Sequence, residues 1–335
     1  MESTVLLAHG GGGSLMGELI RQVFTSRFGD PLLLAADDAA DLGPVGGRLA
    51  FTTDAFVVHP IFFPGGDIGK LSVCGTVNDL AAQGAVPLFL SVAFVLEEGL
   101  PMADLERVAR SIAEAASAAG VRIVAGDTKV VPRGKADRLF ITTSGVGRIA
   151  DGVSVSGSGV KPGDAILING TVGDHGTAVM LARDSLGISV DVESDCAPLA
   201  ALGRAVHHIG PALHAMRDPT RGGVAAAVNE LASQSAVAIE LEEEAVPVHP
   251  QVKVACELLG LDPLYVANEG KMLLAVSPEA ADDALAALKR HPLGSNAAII
   301  GRALDGPPGR VSVRTPLGTT RRLDLPPGEQ LPRIC

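Results

Sequence analysis

The feature that most limits how this chain can fold is a hydrophobic period that switches repeatedly between residues 48 and 149. "RLAFTTDAFVV" (48–58) reads as a strand running into an acidic turn, and "GKLSVCGTVNDLAAQG" (69–84) has helical spacing and ends on a glycine. "VPLFLSVAFVLE" is a buried strand by its length and flanks. "LPMADLERVARSIAEAASAAG" then sets Leu105, Val108, Ile112 and Ala116 on one helical face, with Gly120 as stop signal. "VRIVAGDT" and "RLFITTSGVGRI" follow as strands. A strand alternates faces at every residue and a helix does not, so the order strand, helix, strand, helix, strand, strand predicts an α/β layer.

A second unit opens near "SGSGVKPGDAILING" (156–170), where a Ser/Gly/Pro-rich stretch precedes a new strand. Helices are expected around 174–186 and 221–234, then "KMLLAVS", "EAADDALAALKRH" and "AAIIGRA" as strand, helix, strand. "RVSVRTPLGTTRRLDL" closes as a hairpin turning at Gly318. At 335 residues the chain exceeds one ordinary core. The expected division is 1–150, 151–325 and a tail, 326–335, that ends "PPGEQLPRIC". Prolines keep such a tail extended, and ten extended residues reach about 33 Å. That is far enough to carry the terminal Cys335 from a domain surface into a cleft between the units.

Composition narrows the function. Hydrophobic residues are 47% and charged residues 19%, with one Tyr, nine Phe and no Trp, so aliphatic side chains must build the core and platforms for stacking bases are few. A net charge of −11 argues against nucleic acid and against an anionic membrane surface. The first twenty residues lack a secretory signal pattern, and "AVPLFLSVAFVL" (85–96) is too short to span a bilayer, so a cytoplasmic location is expected. Cys74, Cys196, Cys256 and Cys335 form no CxxC and no disulfide framework. The first three read as structural; nothing follows Cys335 to bury it.

The acidic residues carry the strongest chemical signal. Asp38 in "AADDAAD", Asp54, Asp79, Asp127 and Asp218 in "MRDPTRGG" each stand beside Gly, Thr or Asn, Ala or Arg, several at expected strand ends. Hard oxygen ligands drawn from separate loops suit Mg²⁺ bridging to phosphates, although any one aspartate could equally cap a helix or shape a turn. "HGGGGS" (9–14), with Gly11 and Gly12, could wrap phosphates or be a plain N-terminal arm. "PGGDIGKL" (64–71), with Lys70, fails as a P-loop because Pro64 and Leu71 occupy required positions. Arg221 suits an anion at a helix start. Lys129 in "GDTKVV" and Glu269 in "YVANEGKML" read, on the residues alone, more readily as surface charges than as catalysts.

Taken together, "FFPGGDIGKLSVCGTVNDLA", "GVRIVAGDTKVV", "GDHG", "HAMRDPTRGG", "LDPLYVANEGK" and "GEQLPRIC" resemble the carbamoyl dehydratases of nickel–iron hydrogenase maturation, over residues 5–335. The resemblance implies an α/β (α+β) two-domain aminoimidazole ribonucleotide synthetase-like fold, with an ATP site in the interdomain cleft, a mobile C-terminal tail and dimerisation through the first domain. It implies that a partner carbamoyltransferase loads a carbamoyl group onto Cys335, that ATP with Mg²⁺ drives its dehydration to a thiocyanate, and that cyanide passes to an iron-carrying scaffold of two other maturation proteins. On the matching positions, Asp38, Asp79 and Asp218 become metal-bridged carboxylates. Asp54, Asp127, Gly11, Gly12, Lys70, Asn78 and Arg221 line the nucleotide site, and Lys129 and Glu269 orient the carbamoyl group and move its protons, either being the base. The chain carries Ala39 where the family is expected to have Gly, and Gly11 where it is expected to have Ser. Two other readings compete: a selenophosphate-synthetase-like ATP-dependent enzyme, which should carry Cys or selenocysteine in the N-terminal glycine loop, and a non-catalytic thiol carrier, which needs no carboxylate set.

Overall fold

The computed structural model describes residues 3–11, 13–35, 39–183, 190–325 and 333–335. A four-stranded sheet lies in the first unit: β1 (Leu49–Phe56), β2 (Ala85–Glu97), β3 (Arg122–Val131) and β4 (Leu139–Ile149), in the order β1-β4-β2-β3. The β2–β3 pair is parallel and the others antiparallel. Two helices, α1 (Ile68–Ala82) and α2 (Met102–Ala119), complete the layer. The expected order of elements is therefore the observed one.

Each helix has a local cause. Asp67 caps α1, its Oδ1 accepting from Gly69 N–H (2.8 Å) and Lys70 N–H (3.0 Å). α1 is buried on nearly every side, Cys74 and Asn78 included, because it is wedged between the sheet, α2 and the second unit. α2 is amphipathic: Leu105, Val108 and Ile112 are fully enclosed, and Gly120 ends it in the left-handed conformation at φ 69°.

The second unit holds a seven-stranded sheet: β5 (Ala165–Ile168), β6 (Leu213–Arg217), β7 (Ala238–Glu242), β8 (Leu273–Val276), β9 (Ala298–Leu304), β10 (Val311–Arg314) and β11 (Thr320–Arg322). Its order is β11-β10-β7-β9-β5-β8-β6, antiparallel except for β7–β10. Helices α3 (Asp174–Leu181), α4 (Ala200–Ala205), α5 (Gly223–Gln234), α6 (Pro250–Leu259) and α7 (Ala281–Arg290) connect or cover it. The helix expected over 174–186 ends at Leu181, and 184–189 lie outside the described residues. The larger apolar core runs through both units and includes Ile334 of the tail, which is 2% exposed. No helix among the described residues is long and apolar enough to cross a membrane.

Candidate active site

The alternation of β1 aims alternate side chains at α1, and Thr52 and Asp54 lie on that inner side. Thr76 and Asp79 stand one helical turn apart on α1 and meet them. Thr52 Oγ1–H donates to Asp79 Oδ2 at 2.7 Å, and Thr76 Oγ1–H to Asp54 Oδ2 at 3.4 Å. Asp218 follows β6 and faces the pair from the second unit. A cavity of about 640 Å³ separates the units here, with Asp79, Asp218 and Arg221 in its wall.

Three carboxylates share this space with little compensation. Burial, then the neighbouring charge of Asp79, pushes Asp54 up to about 6. Burial and the same Asp79 push Asp218 up to about 7, while Arg221 pulls the other way on Asp54. Such a site is short of positive charge. Among the described residues no three His, Cys, Asp or Glu side chains gather closely enough to hold a metal ion by themselves. A divalent cation that also takes oxygens from phosphate fits both facts, since it needs only one or two protein carboxylates.

Glu269 lies in the turn before β8, as expected, but it is no surface charge: it is 3% exposed. The carboxyl lies over Gly75 of α1, where a Cβ would stand 3.9 Å from Glu269 Oε2, an ordinary contact, and only 2.9 Å from the Phe56 ring. Asp195 fixes the turn by accepting from Glu269 N–H (3.1 Å), Gly270 N–H (3.2 Å) and Lys271 Nζ (2.8 Å). Gly270 is obligatory there, because a Cβ would fall 1.8 Å from the Asp195 carbonyl oxygen. Burial first, then the charges of Asp218 and Asp195, drive the Glu269 pKa well above the carboxylate range. Both effects favour the protonated form.

Cys335 is not a free end. Its thiol is half-buried and hydrogen-bonded to the Glu269 carboxyl. Burial, then Glu269, pushes the thiol pKa well up, with Arg221 opposing. The residues before it are anchored to both units. The Arg333 carbonyl accepts from His59 N–H (3.1 Å) and Arg183 Nη2 (3.0 Å), and the Arg333 side chain reaches Asp137 (2.5 Å) and the Val57 carbonyl (3.2 Å). Residues 326–332 lie outside the described residues. The expectation that nothing buries Cys335 fails because the chain's own two units do.

Other sequence-marked residues fall elsewhere. Asp38 and Gly12 lie outside the described residues. β3 does not stop at Asp127, since its ladder with β2 continues to the pair Glu97–Val131. Lys129 therefore sits within the strand, 3.0 Å from Asp127, and both side chains are more than half exposed. The Lys129 hydrogen bond holds the Asp127 pKa below the usual range. Gly11 is exposed and closes the single turn Leu7–Gly10 with a 3.2 Å bond to the Ala8 carbonyl. Lys70 donates to the Gly65 carbonyl (2.9 Å). Asn78 is an interdomain clip: Nδ2 donates to the Ala197 and Glu269 carbonyls (both 3.1 Å) and Oδ1 accepts from Leu199 N–H (2.7 Å). Sequence reasoning quoted "GDHG" without assigning His175, and it passed over Asp195, His59 and Asp137, whose partners are distant in the chain.

Residues 36–149 match the family described as AIR synthase related protein, N-terminal domain, and 161–314 its C-terminal domain. The chain is 51% identical over 330 residues to the carbamoyl dehydratase HypE of Rhizobium leguminosarum bv. viciae, covering 98% of this chain and 94% of the relative. It is 49% identical over 340 residues to that of Escherichia coli K12, covering 99% and 100%. A crystal structure of the hydrogenase maturation protein HypE in complex with ATP superposes with a TM-score of 0.95 at 48% identity, covering 99% and 100%. HypE from a HypE–HypF complex superposes with a TM-score of 0.82 at 48% identity, covering 94% and 100%.

Proposed function

The chain belongs to the HypE carbamoyl dehydratases, an ATP-dependent family of hydrogenase maturation, and on that premise we propose that it dehydrates a carbamoyl group carried on its own Cys335. The observation that carries this reading is the docked tail: the Cys335 thiol meets the buried Glu269 beside the Asp54, Asp79 and Asp218 cleft. Identity near 50% to carbamoyl dehydratases over the full length favours this reading over the selenophosphate-synthetase and inert-carrier readings.

The proposed conversion is Cys–S–C(=O)NH₂ plus ATP to Cys–S–C≡N, ADP, phosphate and a proton. The amide oxygen is a poor leaving group and departs readily only as phosphate. Arg221, Asp79 and Asp218 line the cavity where that oxygen would receive the phosphoryl group, with Asp54 beside Asp79. Mg²⁺ held by Asp79 and Asp218, with Asp54 beside them, would neutralise charge on the phosphoryl oxygens. Glu269 is the base. Burial first and the Asp218 charge second raise its pKa, so a cation at Asp218 would remove one of the two and move Glu269 toward a carboxylate matched to an N–H proton. Within one chain Lys129 does not share this task, being paired with Asp127 in solvent.

The docked thiol is held protonated and is a poor nucleophile, so loading by a HypF-like carbamoyltransferase takes place with the tail withdrawn. Transfer to an iron-carrying scaffold has the same requirement. Four free cysteines suit a reducing cytoplasm. Exposed Leu49 and Phe51 on the edge strand β1, with Val95 on β2, suit a sheet face covered by a second copy.

The test follows the C-terminal peptide by mass spectrometry through carbamoyl donor, transferase, ATP and Mg²⁺. An adduct on Cys335 that loses one water only with ATP is expected. An adduct indifferent to ATP, or none on Cys335, overturns the reading.

A further inference from the structure

His175, in the first turn of α3, has no exposed surface and lies edge-on to Phe63, ring centroids 5.4 Å apart. Its Nε2 is 3.0 Å from the Ile334 carbonyl oxygen, and its Nδ1 is 2.8 Å from Ser194 Oγ. A carbonyl can only accept, so Nε2 carries the hydrogen. Burial pushes the His175 pKa down, outweighing the nearby Asp195, and the ring is neutral. Nδ1 is then the acceptor and Ser194 Oγ–H the donor. Ser194 is itself fixed, since Oγ accepts from Cys196 N–H (3.1 Å) and its N–H donates to the Pro64 carbonyl (2.9 Å). The tautomer is thus set by packing, and the ring presents one N–H to the tail.

That N–H acts on the last peptide of the chain. The peptide plane includes the Cys335 Cα, so pinning the Ile334 carbonyl leaves only φ and χ1 of Cys335 between a fixed plane and the sulfur. The anchors on Arg333 hold the tail one residue earlier and leave that plane free to swing.

We propose that His175 is a positioning residue for the dehydration: its Nε2–H holds the Ile334 carbonyl and so aims the Cys335 sulfur, with its carbamoyl load, at Glu269. This rests on the dehydratase reading, because a misplaced carbamoyl group matters only if chemistry occurs in the cleft.

Two measurements test it, on His175→Gln and His175→Asn in the full chain. Gln can place an amide N–H where Nε2 lies; Asn reaches only the Nδ1 position. In the first, iodoacetamide alkylation of Cys335 is followed without nucleotide, with buried Cys74, Cys196 and Cys256 as internal reporters of unfolding. The Asn variant is expected to alkylate at Cys335 about tenfold faster than the parent, the factor for one lost hydrogen bond, while Gln stays near the parent and the internal thiols stay protected. In the second, carbamoylated protein receives ATP and Mg²⁺ in a single turnover. Asn is expected to slow loss of water about 100-fold and Gln only a few-fold, with carbamoylation by the transferase slowed in neither. Equal behaviour of Gln and Asn in both measurements overturns the proposal, whether both match the parent or both fail. A parent that never loses water with ATP overturns the dehydratase reading instead, and the alkylation result still decides the latch.

Discussion

Asp218→Asn, studied free of nucleotide and with a chelator present, is expected to stabilise the fold at alkaline pH. Burial and the Asp79 charge raise the folded-state pKa of Asp218 from 3.8 to about 7. A carboxyl raised in the folded state binds its proton more tightly there than in the unfolded chain. The stability it contributes is therefore full below 3.8 and is lost as the pH climbs through about 7. At about 1.4 kcal/mol per pH unit the loss is about 4 kcal/mol at pH 8 and about 2 kcal/mol at pH 5. Asparagine keeps the shape and removes the charge, which also relieves Asp54 and so shares the gain between the two. We expect Asp218→Asn to exceed the parent by about 2–4 kcal/mol in urea unfolding at pH 8, with the advantage roughly halved at pH 5. Adding Mg²⁺ and ATP should stabilise the parent and leave the variant behind, because the charge that destabilises the empty cleft is the one that receives the cation. An advantage absent at pH 8, or equal at pH 8 and pH 5, would refute the assigned charge burden.

Glu269→Gln should lower single-turnover dehydration by about 10²–10⁴-fold while Cys335 is still carbamoylated at the parent rate, read on the C-terminal peptide. Asn78→Ala removes three hydrogen bonds and strands the Leu199 N–H, so it should cost about 2–4 kcal/mol in denaturant unfolding. A cost under about 1 kcal/mol would deny the clip. Arg333→Ala releases the Asp137 and Val57 contacts, and native-state alkylation of Cys335 should accelerate without exposing Cys74. An unchanged rate would mean that those anchors do not hold the docked tail.

The elements of the first unit were legible in the sequence because each owes its form to a local period. Gly120 ends α2 and Gly318 turns the last hairpin where backbone conformation alone required them. The aspartates were legible only as candidates, and the fold divides them: Asp54, Asp79 and Asp218 meet, whereas Asp127 lies in solvent beside Lys129. Long ordered motifs made the family legible too. What the sequence left open was distance. Glu269 and Lys129 both read as surface charges, yet folding enclosed one between two units and left the other in solvent beside Asp127. Their separation depends on the β2–β3 ladder running on to Val131, which no local pattern in "GDTKVV" announces.

The terminal thiol divides the same way. The prolines of "PPGEQLPRIC" raised the expectation of an extended arm able to carry Cys335. Where it comes to rest was decided by His59 and Asp137 in one unit and His175, Arg183 and Glu269 in the other. Those groups are strung over about 200 residues of sequence. They meet only because two separately coded layers close on one shared core, and desolvation inside that closure raises the pKa of the carboxyl and of the thiol alike.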